Sequence, residues 1–308
     1  MMVDKPAKLK TDDLISTSTM FFVDKEVDER FSQKVSDDVN SLKDKLQRIN
    51  SPDELKKYIR EDKKSISNII TLLSIRVEKF KRVVTMLRLA KGHNPTGEWD
   101  TKKIRSVMLE DSCFMDEICE LLTSGATSEK FIAKMPLFYL ENFTIDLSKI
   151  SLLTHEDAIK RFVKQGLEVK YNSSIKDSFF ERATGIIKSI CEGKGLLFKI
   201  KQHISLIDRE ASFVIYNNDT PAIIIDIAYG VTTSSAQTRY ATQAEKTAKT
   251  IKNKNKHDGT SIAYVNLLDG AGWVGRLSDY KKIHRCSDYL LNLNSLNTIE
   301  QIIDYYIG

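Results

Sequence analysis

The chain has 308 residues, of which 41% are hydrophobic and 29% are charged, so a sizeable core and two domains are both possible. The net charge of +5 and the pI of about 8.8 permit a polyanionic partner but do not demonstrate one. The sequence contains neither the apolar stretch of roughly 20 residues that a membrane helix needs nor a signal-peptide pattern. We therefore expect a cytoplasmic protein without a membrane partner.

The first half of the chain is predicted to be almost wholly helical. Residues 1–20 are polar and are expected to be loosely ordered, and helical spacing of apolar residues begins at about Val23. Ser51, followed by Pro52 and Glu54, is typical of a capped helix start. A break is predicted near Lys63, and Asp100 is predicted to cap a helix that runs to about residue 123. Residues 1–150 are therefore predicted to form a helical region.

The pattern changes in residues 151–308, which are predicted to form an α/β core. One helix is predicted to begin after Thr154 and another to span 174–193. Three β-rich segments, a helix over about 236–254, two further strands and a terminal helix follow. Asn217, Asn218 and Asp219 indicate a turn between the second and third strands. This order predicts a mixed β-sheet flanked by helices.

Asp226 is the acidic residue with the clearest chemical potential, because it lies near the end of the most apolar strand. Residues two apart in a strand share a face, so Asp226 and Ala228 are expected to point the same way. Magnesium-dependent hydrolysis of a phosphodiester requires carboxylate oxygens around the metal. We expect Asp226 to emerge into a cleft that holds a divalent cation, although such an acid can also cap a loop or pair with a lysine.

The core resembles the PD-(D/E)XK fold of type II restriction endonucleases, and within that group the DpnII/MboI-like enzymes. The likeness is carried by SFVIYNNDTPAIIIDIAYG, by the TTSSAQT loop, and by YVNLLDGAGWVGR followed by CSDYLLNLNSL. It covers about residues 130–308. The resemblance implies a type II site-specific deoxyribonuclease that hydrolyses double-stranded DNA with Mg²⁺ and acts as a homodimer. The first 150 residues would then embrace DNA or form the dimer contact.

The resemblance transfers unevenly to individual residues. Ser212 stands where the family has an acid, Asp226 is the second acid, and Ala228 stands at the lysine position. Glu181 is the candidate acid on the preceding helix, and Asp208 or Glu210 is a candidate replacement for the missing acid. The predicted catalytic residues are Asp226, Ser212, Ala228 and Glu210, and the predicted metal ligands are Asp226, Glu181 and Asp208. Three interpretations stay open: a replaced acid, a degenerate site that binds DNA without cutting it, and a deliberately inactivated chain.

A hydroxyl-rich loop and a basic helix follow the Asp226 strand. Short polar side chains suit phosphate oxygens and base edges, although serine and threonine also commonly cap helices. The predicted DNA-binding residues are Thr232, Thr233, Ser234, Ser235, Gln237, Arg239, Lys246 and Arg276. The glycine-rich turn at Asp269 lacks a P-loop lysine, so no nucleotide cofactor is expected.

Overall fold

The computed structural model describes residues 4–73, 75–90, 97–147 and 156–308. The chain divides into two compact units. A helical unit comprises Asp28–Tyr171, and an α/β unit comprises Met1–Val27 together with Asn172–Gly308. The domain boundary predicted between residues 150 and 151 lies outside the described residues and stays a prediction.

The described helices and strands follow one another in a helical first half and a mixed second half. In chain order they are α1 (Thr11–Ser16), α2 (Lys25–Leu46), α3 (Pro52–Glu61), α4 (Ser65–Leu72), α5 (Val77–Ala90), α6 (Thr101–Glu110), α7 (Ser112–Ser124), α8 (Glu129–Ile132), α9 (Leu137–Leu140), α10 (Glu156–Gly193), β1 (Phe198–Ile204), β2 (Arg209–Asn217), β3 (Thr220–Tyr229), α11 (Ser235–Asp258), β4 (Ala263–Asp269), α12 (Ala271–Val274), α13 (Leu277–Cys286), β5 (Tyr289–Leu291) and α14 (Thr298–Tyr306). The predicted mixed α/β character with a helical N-terminal region is confirmed.

Side-chain caps define the ends of several helices in the helical unit. The Ser51 hydroxyl accepts the Glu54 N–H at 3.2 Å, and the Asp100 carboxylate accepts the Lys103 N–H at 2.7 Å, as predicted. The Arg105 guanidinium donates to the carbonyls of Ile59, Arg60 and Asp62 at the end of α3. These contacts satisfy backbone groups that a helix cannot pair internally.

The core of the helical unit is built from apolar side chains at helical spacing. Fully buried members include Ile59, Phe80, Ile104, Ile118, Phe131 and Phe143. Because all of them except Phe143, which follows α9 in a turn, lie on the inner stripe of a helix, short helices pack around one continuous hydrophobic cluster.

The α/β unit is organised around one five-stranded sheet in the order β1-β2-β3-β4-β5. Strands β1, β2 and β3 form an antiparallel meander, whose second turn contains Asn218 at a φ of 52°. Strands β4 and β5 continue the sheet in parallel with β3. A parallel connection needs a crossover, and α11 supplies it between β3 and β4.

The two faces of the sheet are covered by different helices. On one face, Phe213 of β2 stacks on Phe180 of α10 with ring centroids 4.9 Å apart. On the other face, Val214 and Ile224 share a buried cluster with Ala244 and other residues of α11. Adjacent residues of a strand point to opposite faces, so β2 is buried on both sides. The α/β unit thus has three layers, with the sheet between α10 and α11. Strand β3, which carries Asp226, is the central strand of that sheet.

Several sequence predictions about helices were wrong. The helix predicted from Asp100 to about residue 123 is two helices, because α6 ends at Glu110 and Asp111 caps α7 by accepting the Phe114 N–H at 3.1 Å. Residues 156–193 form one continuous helix of 38 residues, where two helices had been predicted; Thr154, the predicted cap, lies outside the described residues. The polar stretch near Ser174 does not end the helix, because Asn and Ser cost only about 0.5 kcal/mol each and Ile175 and Phe179 continue the buried stripe. Residues 4–20, which were expected to be loosely ordered, are held by α1, because it places Leu14 in the core with 1% of its surface exposed.

Candidate functional site

Asp226 lies inside the molecule, on the face of the sheet that α11 covers. Only 5% of its surface is exposed, so the expectation that it emerges into an open cleft was wrong. Arg209 donates to both carboxylate oxygens, with Nη1 at 3.0 Å from Oδ1 and Nη2 in a short contact with Oδ2. The Tyr264 hydroxyl donates to Oδ2 at 2.7 Å. The carboxylate is therefore bound by three donors from within the chain.

Arg209 is itself held in place by further contacts. Its guanidinium donates to the Thr247 hydroxyl of α11 from Nη2 at 2.9 Å and to the Glu210 carbonyl from Nη1 at 2.8 Å. Burial lowers the pKa of Arg209, but the hydrogen bond and negative charge of Asp226 outweigh burial and raise it. Burial and the same carboxylate raise the pKa of Tyr264. At neutral pH, Arg209 is therefore a cation and Tyr264 is a neutral hydrogen-bond donor.

The polar contacts continue across β4 beneath α11. The Tyr240 hydroxyl donates to the Asn266 side-chain oxygen at 2.8 Å, and the Asn266 amide donates to the Ser287 hydroxyl at 2.8 Å. Asn266 and Ser287 are both buried. Because buried polar groups are costly unless paired, this connected network specifies how α11 sits on the sheet.

An interruption in β1 and β2 explains why Arg209 reaches Asp226. Lys201 has a φ of 48°, and it and Ser212 are missing from the otherwise regular register of the two strands. The Ser212 hydroxyl accepts the Ile227 N–H at 3.1 Å, where strand pairing between β2 and β3 has ended. Ala211 and Val214 are three residues apart and would point to opposite faces of a regular strand, yet both join the cluster under α11. The alternation of side chains along β2 is therefore reversed at Ser212, and this reversal points Arg209 toward α11.

The other predicted catalytic residues do not gather around Asp226. Ser212 bonds the backbone, and Ala228 is a half-buried residue packed against the cluster under α11. Glu210 is exposed, because the inversion at Ser212 turns its neighbour Arg209 inward instead. The parity argument that placed Glu210 and Asp208 beside Ser212 assumed a regular strand, and that assumption was wrong.

The predicted magnesium ligands likewise lie apart. Asp208 is exposed in the turn before β2, with a φ of 50°, and Glu181 is exposed on α10, across the sheet from α11. Among the described residues, no group of three histidine, cysteine, aspartate or glutamate side chains is arranged to hold a metal. Magnesium requires several oxygen ligands at about 2.1 Å, whereas the Asp226 oxygens already accept three internal hydrogen bonds. The residues around Asp226 do not fit a magnesium ion.

The hydroxyl-rich loop serves partly as a helix cap. The Ser234 hydroxyl accepts the Ala236 N–H at 3.3 Å, and the Gln237 side-chain oxygen accepts the Ser234 N–H at 2.6 Å. This reciprocal capping box fixes the start of α11, so Ser234 and the buried Gln237 are used internally. Thr232, Thr233 and Ser235 are exposed at the same end of the helix.

The outer surface of α11 is strongly basic. Its exposed cations are Arg239, Lys246, Lys249, Lys252, Lys254 and Lys256. Two contacts tie this helix to α13: the Thr238 hydroxyl donates to Asp279 at 2.8 Å, and Lys282 pairs with Glu245 at 2.8 Å. Arg276, another predicted DNA contact, is half-buried at the start of α13. The predicted basic residues of α11 therefore do face solvent.

A comparison with protein families found a similarity within the α/β unit. The model of the family described as the BanI C-terminal domain matches residues 194–307, which is less than half of the chain. That family is a type II restriction enzyme domain, so the match supports the restriction-endonuclease relationship. No curated protein matches the chain. In the described part of the chain, no helix has the length and apolar character needed to cross a membrane.

Sequence reasoning missed Arg209, Thr247 and Tyr264 as partners of Asp226. Tyr264 lies 38 residues beyond the acid and Arg209 lies 17 before it, so no local motif links them. An arginine at the start of the neighbouring strand was the only signal in the sequence, and its orientation depended on an interruption that periodicity does not reveal.

Proposed function

We propose that this chain is a restriction-endonuclease-related protein that binds double-stranded DNA. We also propose that, with its present sequence, it does not use Asp226 to cleave that DNA. One observation carries the second half of this proposal: the Asp226 carboxylate is occupied by Arg209 and Tyr264. The first prediction from sequence, a Mg²⁺-dependent type II deoxyribonuclease, needs that carboxylate free for a cation. Its alternative, a nuclease-fold protein that binds without cutting, agrees better with this geometry.

The DNA-binding half of the proposal is supported by the family match and by charge. The matched region contains α11, whose exposed lysines and Arg239 present a row of positive charge beside exposed hydroxyls. Lysine and arginine contacts to phosphates supply most of the sequence-independent affinity for DNA. Arg239 and Lys246 would contact the backbone, and Thr232, Thr233 and Ser235 would lie at the same surface.

The PD-(D/E)XK fold is part of the proposal. Helix α10, the β1-β2-β3 meander, α11 and the parallel strand β4 follow in the order helix, three strands, helix, strand. This order supports the assignment to that fold, and the DpnII/MboI-like resemblance rests on sequence alone. A homodimer on a palindromic site, a helical region over residues 1–150 that embraces DNA or forms the dimer contact, and a cytoplasmic location are further predictions.

The test combines binding with cleavage on the full chain. Fluorescence anisotropy with a labelled 20-base-pair duplex would measure affinity from 50 to 300 mM salt, with and without Mg²⁺. We expect saturable binding in both conditions and a linear fall of log affinity with log salt. The Arg239→Gln/Lys246→Gln variant is expected to lower the salt slope by about two. The charge-matched Lys176→Gln/Lys188→Gln variant on α10 is the control and should leave the slope unchanged.

Cleavage decides between the two candidate functions. Plasmid DNA incubated with the chain and Mg²⁺ or Mn²⁺ is expected to stay supercoiled. Discrete metal-dependent fragments that disappear in Asp226→Asn would overturn the non-cutting proposal and support the endonuclease. Absence of DNA binding at 50 mM salt would contradict both functions.

A further inference from the structure

A cavity lies between α11, α13 and the start of β5. Its volume is about 280 Å³, and Ile251 and Tyr264 contribute to its wall. The polar residues that line it are Lys252, Asn255, Arg285, Ser287 and Asp288. All of these residues belong to the α/β unit. Lys252 belongs to the basic helix for which the sequence predicts phosphate contact, and Arg285 is a weaker candidate for the same surface.

The two cations of this cavity, Lys252 and Arg285, are free to bind a ligand. Both are exposed, and neither forms an ion pair or hydrogen bond with any described residue. The one acid in the lining, Asp288, accepts the Tyr264 N–H at 2.8 Å. Asn255 is also engaged, since its side-chain oxygen accepts the Ile262 N–H at 2.9 Å. Lys252 and Arg285 are therefore the cavity's donors without a described partner, and the Asp288 carboxylate keeps its negative charge beside them.

The helical repeat of α11 leads its cations toward the same place. Thr238 and Glu245 face α13, because they bond Asp279 and Lys282. Residues three or four apart share a helix face, so Lys249, Lys252 and Lys256 continue this flank beyond Glu245. The side of α11 that faces α13 therefore carries three lysines near the cavity, and Lys252 lines it.

A third cation lies behind the cavity wall. The Lys8 ammonium donates to the carbonyl of Ser287, which lines the cavity. Burial lowers the pKa of Lys8, while the negative charge of Asp288 acts in the opposite direction. Lys8 adds positive potential from the N-terminal segment, and its hydrogen bond holds the wall of the cavity in position.

We propose that this cavity is a phosphate-binding subsite in which Lys252 and Arg285 together hold one phosphate group. Arginine presents a planar fork of donors that matches phosphate oxygens, and lysine supplies a compact charge beside it. On the proposed function, the phosphate belongs to the backbone of bound duplex DNA, and the subsite extends the DNA-binding surface from α11 to α13. The assignment of the phosphate to DNA rests on that proposed function. The inference that Lys252 and Arg285 bind a phosphate group rests only on the cavity and its two cations.

The Lys252→Gln/Arg285→Gln variant tests the subsite while preserving side-chain length. In the anisotropy experiment with duplex DNA, we expect affinity at 100 mM salt to fall roughly tenfold and the salt slope to fall by about two. Lys176→Gln/Lys188→Gln removes two charges from α10 and is expected to have neither effect. Circular dichroism melts of both variants are the control for folding. We expect both to be folded, because all four substituted side chains are exposed.

A second measurement separates the sources of phosphate and keeps the two proposals distinguishable. Inorganic phosphate is titrated at constant ionic strength while the chemical shift of the Arg285 side chain is followed in ¹⁵N-arginine-labelled protein. If the wild type binds no DNA, the proposed function fails, but saturable phosphate binding that is lost in Lys252→Gln still supports the subsite. The subsite proposal is overturned if the double variant leaves the salt slope of DNA binding unchanged and the Arg285 side-chain chemical shift of the wild type does not respond to phosphate.

Discussion

Arg209 and Asp226 form a nearly buried ion pair, and its geometry sets what this part of the molecule can do. The exposed fractions of the two side chains are 22% and 7%. Two N–H groups meet two carboxylate oxygens, and Tyr264 and Thr247 complete the surrounding hydrogen bonds. A buried pair of this kind adds little net stability over apolar side chains, but removing one partner leaves an uncompensated charge. Asp226 is therefore expected to keep Arg209 as its partner, because any other role for the carboxylate would leave the half-buried guanidinium without its counter-ion.

Arg209→Ala is expected to destabilise the α/β unit by about 3 kcal/mol, because the Asp226 carboxylate would be left buried without its counter-ion. Urea unfolding followed by tryptophan fluorescence and circular dichroism measures this change. The exposed Arg182 on α10 provides the control, and Arg182→Ala is expected to cost less than about 0.5 kcal/mol.

A double-mutant cycle isolates the pair itself. Arg209→Ala/Asp226→Ala is expected to cost less than the sum of the two single changes, because removing both groups removes the unpaired charge. Additive costs would show that the two side chains do not interact as the structure indicates.

At the scale of elements, the interruption at Lys201 and Ser212 decides which side chains of β2 enter the polar layer. A regular strand would place Arg209 and Val214 on opposite faces, because side chains alternate with a period of two. The interruption instead brings Arg209, Ala211 and Val214 to the face covered by α11. Bulges and similar interruptions commonly re-aim side chains in this way. The same local change excludes Glu210 from the neighbourhood of Asp226.

The short helix α12 is packed so closely on the hydroxyl-rich loop that Gly272 cannot be replaced without movement. A Cβ at Gly272 would lie 2.4 Å from the Thr232 carbonyl oxygen and 2.8 Å from Nε2 of Gln237. We expect Gly272→Ala to cost about 2 kcal/mol through overpacking and to displace the loop that carries Thr232 and Thr233. Thermal unfolding measures the cost, and DNA anisotropy measures the effect on binding.

Gly185 is the matched control for that substitution. It lies within α10, and a Cβ there would meet no atom within 4 Å. Gly185→Ala is therefore expected to stabilise the protein by up to about 1 kcal/mol, because alanine favours the helix. Equal melting temperatures for the two variants would contradict the close approach of α12 to the loop.

At the scale of the whole molecule, the N-terminal segment is a structural part of the α/β unit. Asp269, which is fully buried, accepts the Ser18 hydroxyl at 2.5 Å and the Thr19 N–H at 2.6 Å. The Asn292 amide donates to the Leu14 carbonyl at 2.8 Å. Residues 14–19 thereby meet Asp269 and Asn292 near the carboxyl end of β4, and we expect the stability of this unit to depend on these contacts.

Leu14→Ala is expected to destabilise the α/β unit by about 3 kcal/mol, since it leaves a cavity in a well-packed core. Urea unfolding provides the measurement. Phe21 lies in the same segment but is 71% exposed, so Phe21→Ala should change stability by less than about 0.5 kcal/mol. A similar small effect for Leu14→Ala would show that the segment is detached in solution.

Much of the secondary structure could be predicted because its causes are local. Apolar spacing located the helices and strands, Ser51 and Asp100 marked helix starts, and Asn218 marked a turn. The features that escaped prediction include the break between α6 and α7, the continuity of α10 through its polar stretch, the order of residues 4–20, and the inversion in β2. The last three depend on contacts with residues far away in the chain, which propensity and periodicity do not contain.

The sequence by itself determined the mixed α/β class, the helical first half and the choice of Asp226 as the acid worth examining, because these follow from hydrophobic period and residue type. Only the tertiary structure decided what surrounds that acid. Sheet pairing, the interruption at Ser212 and the placement of α11 bring Arg209, Tyr264 and Thr247 together from separate elements. A carboxylate's chemistry depends on the charges and donors within a few ångströms of it, and those neighbours are assembled by folding.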